Sequence, residues 1–268
     1  MPAESTPTLH LLAKAPVAGQ AKTRLIPLLG AEGAAEAHSQ LLQQCLANAC
    51  QALPAEFITL WTALDHEHPL FIQLKQQFGI QLRPQPQGDL GARIQACLQA
   101  DPGPAMVMGS DCPSITPAMV QQCAAQLAHA EVVILPAEDG GYGLIGTHHP
   151  IPELLTDIPW GTPNVLSVTR QRLDQLGIEA VYPAIIWDVD HPEDWQRWQK
   201  YAEKVRKPST CPLSKTLTER SGVFCEPTTR VTYSDIGSGS CCFLSQRCPP
   251  VFQPGHLASL PYRLYRPV

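Results

Sequence analysis

Residues 105–113 read Ala-Met-Val-Met-Gly-Ser-Asp-Cys-Pro (AMVMGSDCP). Four apolar residues run uninterrupted and stop at Gly109-Ser110-Asp111. A short apolar run closed by Gly, with Pro soon after, is the pattern of a buried strand. Asp111 then stands at the strand's carboxyl end. A carboxylate there suits a divalent cation held against phosphates. Hard cations such as Mg²⁺ take oxygen ligands, and usually only one or two carboxylates from the protein. The structural alternative is an Asp that caps a turn or helix.

The same rhythm continues on both sides. Upstream, strands are expected at Thr8–Ala13, Phe57–Trp61 and Ile80–Arg83, with helices at Ala31–Leu53, Pro69–Phe78 (ended by Gly79) and Leu90–Ala100. Lys14–Leu29 is expected to be a loop. Downstream, Thr116 caps a helix over Pro117–Ala128 with Pro at its first position. Strands follow at Glu131–Leu135 and Tyr142–Gly146. Thr162 is expected to cap a helix over Pro163–Leu176 that Gly177 ends. Ala180–Val189 reads as extended and Pro192–Val205 as a last helix. Strands alternating with helices predict an α/β, Rossmann-like, mostly parallel sheet flanked by helices. In such sheets the ligand sits at the carboxyl ends of the strands.

Composition narrows the class. The chain has 268 residues, 44% of them hydrophobic and 16% charged, and a formal net charge of -5 without a long basic run. That argues against a general nucleic-acid binder, whose affinity rests on neutralising many phosphates. No secretory leader or membrane span is expected, so the chain reads as cytoplasmic. From residue 207 to 268, Pro, Ser, Thr and Cys become frequent and helical periodicity ends. A domain over 1–206 followed by a poorly ordered tail over 207–268 is expected. Of the 10 Cys, Cys45, Cys50, Cys97, Cys112 and Cys123 lie in or beside apolar segments and read as small buried hydrophobes. The other five fall in the tail, where no CxxC pair supports a zinc site.

The polar residues gather where the sheet rule places a ligand. After the first strand come Lys14, Lys22 and Arg24, three cations in a loop with Gly19, suited to a di- or triphosphate. No GxxxxGK[ST] or GxGxxG is present. In Asp188-Val189-Asp190 the alternation puts both acids on one face, and Asp190 is the candidate to complete the metal site begun by Asp111. In Glu138-Asp139-Gly140-Gly141, the glycines permit close backbone approach, and Asp139 is the candidate to bind sugar hydroxyls or act as a base; a tight hairpin-like turn is the alternative. In Gly88-Asp89-Leu90-Gly91-Ala92-Arg93, the start of a helix, Asp89, Gly91 and Arg93 are candidates to contact base or sugar edges; a plainly capped helix is the alternative. Trp160, in a loop, suits sugar stacking if exposed.

Taken in order, KAPVAGQAKTRL, GDLGAR, MGSDCP, PAEDGGYGLIG, PWGTPNVL and DVDHPEDW resemble a bacterial GT-A-like family of arsenosugar-biosynthesis glycosyltransferases. The wider group includes molybdenum-cofactor and phospholactate guanylyltransferases. The resemblance spans about residues 8–205. It implies a GT-A, nucleotide-diphospho-sugar transferase-like fold, a nucleotide in the first-strand loop, and Mg²⁺ or Mn²⁺ on Asp111 and Asp190. The expected activity is metal-dependent glycosyl transfer from a nucleotide sugar to a small-molecule acceptor. The alternatives are nucleotidyl transfer from a nucleoside triphosphate with release of pyrophosphate, and non-catalytic nucleotide binding. One departure is that Lys-Ala-Pro-Val-Ala-Gly stands where the guanylyltransferases carry a glycine cluster.

Overall fold

The computed structural model of the chain describes residues 6–206; the tail expected over 207–268 lies outside the described residues. Seven strands form one sheet: β1 (Thr8–Lys14), β2 (Ile58–Ala63), β3 (Gln81–Pro84), β4 (Ala105–Gly109), β5 (Val132–Pro136), β6 (Tyr142–Thr147) and β7 (Ala180–Val181). Their spatial order is β3-β2-β1-β4-β6-β5-β7. Six strands are parallel, and β6 runs antiparallel to both β4 and β5. This is the expected mostly parallel sheet flanked by helices.

The apolar strands are buried on both faces, and alternation divides their side chains. Leu9, Leu11, Met106, Met108, Val133, Leu135 and Leu144 face one core together with Leu42, Leu46, Phe71 and Cys123. These last come from α1 (Ile26–Ala52), α2 (Pro69–Phe78) and α4 (Pro117–Leu127). Val107, Val132, Ile134 and Ile145 face the other core, with Ile94, Cys97 and Leu173. Those residues belong to α3 (Leu90–Leu98) and α5 (Val165–Leu176). Each such side chain, fully buried, stabilises the fold by roughly 1.5–3 kcal/mol. A smaller cluster joins Leu25 and Leu41 to Trp195 and Trp198 of α6 (Pro192–Arg206).

The helix signals hold in detail at three places. Thr116 Oγ1 accepts from Met119 N (3.3 Å) as an N-cap. Gly79 and Gly177 end α2 and α5 in the left-handed region. Two boundaries differ from expectation. Helix α1 begins at Ile26, inside the expected loop, and is interrupted at Gly30 (φ 73°, ψ 170°). Helix α5 begins at Val165, two residues beyond Pro163. Thr162 is occupied by a turn instead: its Oγ1 donates to Pro159 O (2.8 Å) and accepts from Asn164 N (3.3 Å). Of the expected extended run 180–189, only β7 and an isolated bridge from Ile186 to Ala137 pair with the sheet.

Cys45, Cys97, Cys112 and Cys123 are buried free thiols, as expected of small hydrophobes, and Cys50 is half-buried. Among the described residues no helix is long and apolar enough to cross a membrane.

His10 lies on β1, fully buried. Its Nδ1 accepts from Trp61 Nε1 (3.1 Å), and its Nε2 lies 3.1 Å from Thr8 Oγ1. Burial pushes its pKa down to about 4, against the pull of Asp101 and with a smaller push from Arg83. His38 is also pushed down, mainly by burial. A histidine whose folded pKa lies below its unfolded value of about 6.5 takes up its proton on unfolding. Stability therefore holds above about pH 6.5 and falls as the pH drops towards 4. From His10 alone the loss approaches about 1.4 kcal/mol per pH unit, or roughly 3 kcal/mol in all. Urea unfolding at pH 7 and pH 5 measures it; equal midpoints would refute the neutral buried imidazole.

Candidate active site

One cavity of about 780 Å³ opens at the carboxyl edge of the sheet. It collects the ends of β1 and β4, the hairpin 137–141 between β5 and β6, the loop 160–163 and the segment 186–190. Of the residues expected from sequence, Lys14, Lys22, Arg24, Arg93, Asp111, Asp139, Gly141, Trp160 and Asp190 all line it.

Its charged centre is built by backbone ties. Val189 N donates to Asp111 O (2.9 Å), which fastens the segment 186–190 to the end of β4. Ser114 Oγ donates to Trp187 O (2.5 Å) and strengthens the same junction. Asp194 Oδ2 accepts from Asp190 N (3.2 Å) and His191 N (2.8 Å), so an acid in the first turn of α6 holds the Asp190 loop in shape. Lys22 approaches from the opposite side in the left-handed conformation (φ 46°, ψ 48°), costly for a residue with a Cβ. Its Nζ donates to Asp111 Oδ2 (2.9 Å) and Asp190 Oδ1 (3.2 Å), and its side chain is only 7% exposed. Arg24 Nη1 donates to the other oxygen, Asp190 Oδ2.

Electrostatics follow from these contacts. Burial alone would lower the Lys22 pKa, but Asp111 and Asp190 outweigh it and raise it. Burial would raise Asp111, but Lys22 outweighs it and holds the carboxyl below its ordinary range. Asp188 has no such partner: burial, then the Asp111 and Asp139 carboxylates, push it up to about 6. Four acids, Asp111, Asp139, Asp188 and Asp190, thus share the cavity with four cations, Lys14, Lys22, Arg24 and Arg93. Among the described residues no group of three or more His, Cys, Asp or Glu is arranged to hold a metal ion. Asp111 and Asp190 are brought together as a pair by their shared bond partner Lys22.

The other half of the cavity is aromatic and polar. Asp139 Oδ1 accepts from Gly141 N (2.9 Å), fixing the carboxylate at the hairpin tip. The hairpin is braced by Glu138, which takes two bonds from Arg197 (2.7 and 3.0 Å). Trp160 is half-buried and meets Tyr142 edge to face at 6.1 Å. Arg93 Nη1 donates to Gln85 Oε1 (3.3 Å), and Gln85 Nε2 donates to Ala13 O (3.1 Å) and Trp61 O (2.9 Å).

Three expected contact residues do not line the cavity and serve the scaffold instead. Asp89 is the N-cap of α3, accepting from Ala92 N (2.8 Å). Gly91 is buried; a Cβ there would stand 2.7 Å from Leu155 O and 3.0 Å from Trp160 Nε1. Gly140 packs against Pro163, where a Cβ would stand 2.2 Å from the carbonyl oxygen. Gln85, His38 and Asp188 line the cavity without having been chosen. Only Asp188 had a signal, its alternation with Asp190; nothing in the sequence around Gln85 or His38 marks them.

The profile of a bacterial family described as "uncharacterized protein conserved in bacteria" (DUF2064) matches residues 46–162. No curated protein matches the sequence. Among solved structures, one from Desulfovibrio desulfuricans G20, provisionally named a nucleotide-diphospho-sugar transferase, is 26% identical over 77% of this chain and 90% of its own (TM-score 0.66). A nucleotidyl transferase from Methanothermobacter is 16% identical over 74% of this chain and 99% of its own (TM-score 0.54). A 4-diphosphocytidyl-2C-methyl-D-erythritol synthase from Anaerococcus prevotii is 11% identical over 74% of this chain and 97% of its own (TM-score 0.51). The last two share the fold.

Proposed function

We propose that residues 1–206 form a metal-dependent glycosyltransferase that moves a sugar from a nucleotide-sugar donor to a small-molecule acceptor. The observation that carries this reading is the meeting of Lys22, Arg24, Asp111 and Asp190 in one cavity at the carboxyl edge of the sheet. The likeness to the Desulfovibrio protein supports a nucleotide-sugar ligand. In the first-strand loop Val17 N bonds Ala15 O, and Gln20 N and Ala21 N both bond Val17 O. Those amides are turned inward and are not free to cradle a phosphate. Phosphate binding then falls to the side chains of Lys14, Lys22 and Arg24.

The donor set fits Mg²⁺ or Mn²⁺: Asp111 and Asp190 offer carboxylate oxygens, and such ions usually take one or two carboxylates from the protein. Asp111 and Asp190 would hold the ion, which when bound stabilises the charge developing on the departing nucleoside diphosphate. The acceptor's nucleophilic atom bonds to the anomeric carbon, the bond from that carbon to the diphosphate oxygen breaks, and the diphosphate leaves on Lys14, Lys22 and Arg24. Asp139, oriented by Gly141, takes the acceptor's proton.

Phosphorus NMR of purified protein with Mg²⁺ or Mn²⁺, tested against nucleotide sugars and nucleoside triphosphates, decides the matter. Slow release of a nucleoside diphosphate from one nucleotide sugar is expected. Pyrophosphate released from a triphosphate would replace this reading with nucleotidyl transfer. Binding without turnover, even with acceptors added, would mean a non-catalytic nucleotide binder.

A further inference from the structure

We infer that Lys22 makes divalent-metal binding depend on the donor's phosphates, because it holds the Asp111–Asp190 pair itself until a phosphate takes its ammonium. This rests on the metal-dependent reading above.

One ammonium stands within hydrogen-bond reach of one oxygen on each acid, 2.9 Å from Asp111 Oδ2 and 3.2 Å from Asp190 Oδ1. Arg24 takes the second oxygen of Asp190, and Cys112 Sγ stands 3.6 Å from the second oxygen of Asp111. The pair is therefore already served by cations and weak donors on all four oxygens. Divalent ions of the Mg²⁺ class bind oxygen at roughly 2.0–2.1 Å. An ion on the two oxygens that Lys22 bridges and the Lys22 ammonium would compete for one place, and their charges would repel at short range. The ammonium cannot simply withdraw. Its side chain is 7% exposed, and a buried charge without a partner is strongly unfavourable.

A phosphate group resolves the conflict. Lys22 shares the cavity with Lys14 and Arg24, so an anionic diphosphate is drawn to the place from which Lys22 reaches the carboxylates. Transfer of the ammonium to phosphate frees the acids for the metal, and the metal in turn neutralises the phosphate. The coupling is reciprocal, since each ligand must favour the other by the same factor. The consequence is a site that takes its metal with the nucleotide rather than before it.

Mn²⁺ titration followed by electron paramagnetic resonance tests this on the full chain, comparing wild type with Lys22→Met and Lys22→Gln. Mn²⁺ alone should bind Lys22→Met at least about tenfold more tightly than wild type, within the usual range of such couplings. Adding Asp111→Asn to Lys22→Met should remove that gain and so locate the ion. A purely scaffolding lysine predicts the opposite sign, because its loss would loosen the acids and weaken the metal. In wild type, methylenediphosphonate should tighten Mn²⁺ by a similar factor, after correction for its own Mn²⁺ complex measured in parallel. Should neither variant fold, as judged by near-ultraviolet circular dichroism, the wild-type comparison alone decides. Mn²⁺ binding wild type equally well with and without the diphosphonate, or as tightly as it binds Lys22→Met, overturns this inference and leaves the metal reading standing. No Mn²⁺ binding under any condition overturns both.

Discussion

Asp111→Asn is expected to lower metal-stimulated turnover of the donor by about a hundredfold or more while leaving the protein folded. The change preserves the shape of the side chain and removes its charge. Losing one preorganised electrostatic partner of a developing charge typically costs about 10²–10³ in rate. The structural cost is smaller. Lys22 keeps Asp190 at 3.2 Å, so the ammonium is weakened in its pairing rather than stranded. Breaking a buried pair outright costs about 3–5 kcal/mol, but Asp111 is partly solvated and one partner remains, which suggests about 1–2 kcal/mol. For a domain of this size that lowers the melting temperature by about 2–8 °C. Phosphorus NMR gives the rate and circular dichroism the melting temperature. Turnover unchanged within threefold would remove Asp111 from the chemistry, and a melting temperature down by 15 °C would make it chiefly a structural residue.

The gathering of the candidate residues at one sheet edge was legible because the fold rule and the polar residues agree. Lys14, Asp111, Asp139 and Asp190 each follow the carboxyl end of an expected extended run, and one cavity collects them. Their pairing was not legible. Lys22 lies 89 residues from Asp111 and 168 from Asp190, and no local spacing encodes contacts that a sheet crossover creates. A cation and an acid at one sheet edge fit two pictures equally well, one with each on its own ligand and one with each on the other. The direction of β6 was hidden for a related reason. A strand buried on both faces shows the same apolar run whether parallel or antiparallel. The hairpin was visible only in Glu138-Asp139-Gly140-Gly141, where a tight turn and a ligand loop use the same residues. At Thr162 a genuine capping signal was present, but its hydroxyl closes the turn at 159–164 rather than the helix. Asp89 and Gly91 were misread in the same way: residues suited to contact a ligand at a helix start are those that cap and pack the helix itself.

Gly140→Ala and Gly161→Ala should separate conformational from steric cost on either side of the cavity. Both glycines sit at positive φ, 89° and 76°, where a Cβ costs about 1–2 kcal/mol. Around Gly161 nothing lies within 4 Å of a Cβ, so the conformational cost stands alone. At Gly140 a Cβ would lie 2.2 Å from Pro163 O and 2.8 Å from its carbonyl carbon, both backbone atoms that cannot swing aside. Gly140 is also tied at both ends: its N–H donates to Ala137 O (3.1 Å), and its carbonyl accepts from Leu166 N (2.9 Å). Relief therefore requires the hairpin to move off the loop that carries Trp160. Overpacking of this kind adds about 1–3 kcal/mol, for a total of about 2–5 kcal/mol. The expected fall in melting temperature is about 4–20 °C for Gly140→Ala, against about 2–8 °C for Gly161→Ala. Because Asp139 precedes Gly140, donor turnover should drop in the first variant even below its melting temperature and stay near wild type in the second. Equal losses in both variants would show that the contact with Pro163 does not hold the hairpin, and that Asp139 owes its place to the Asp139–Gly141 bond alone.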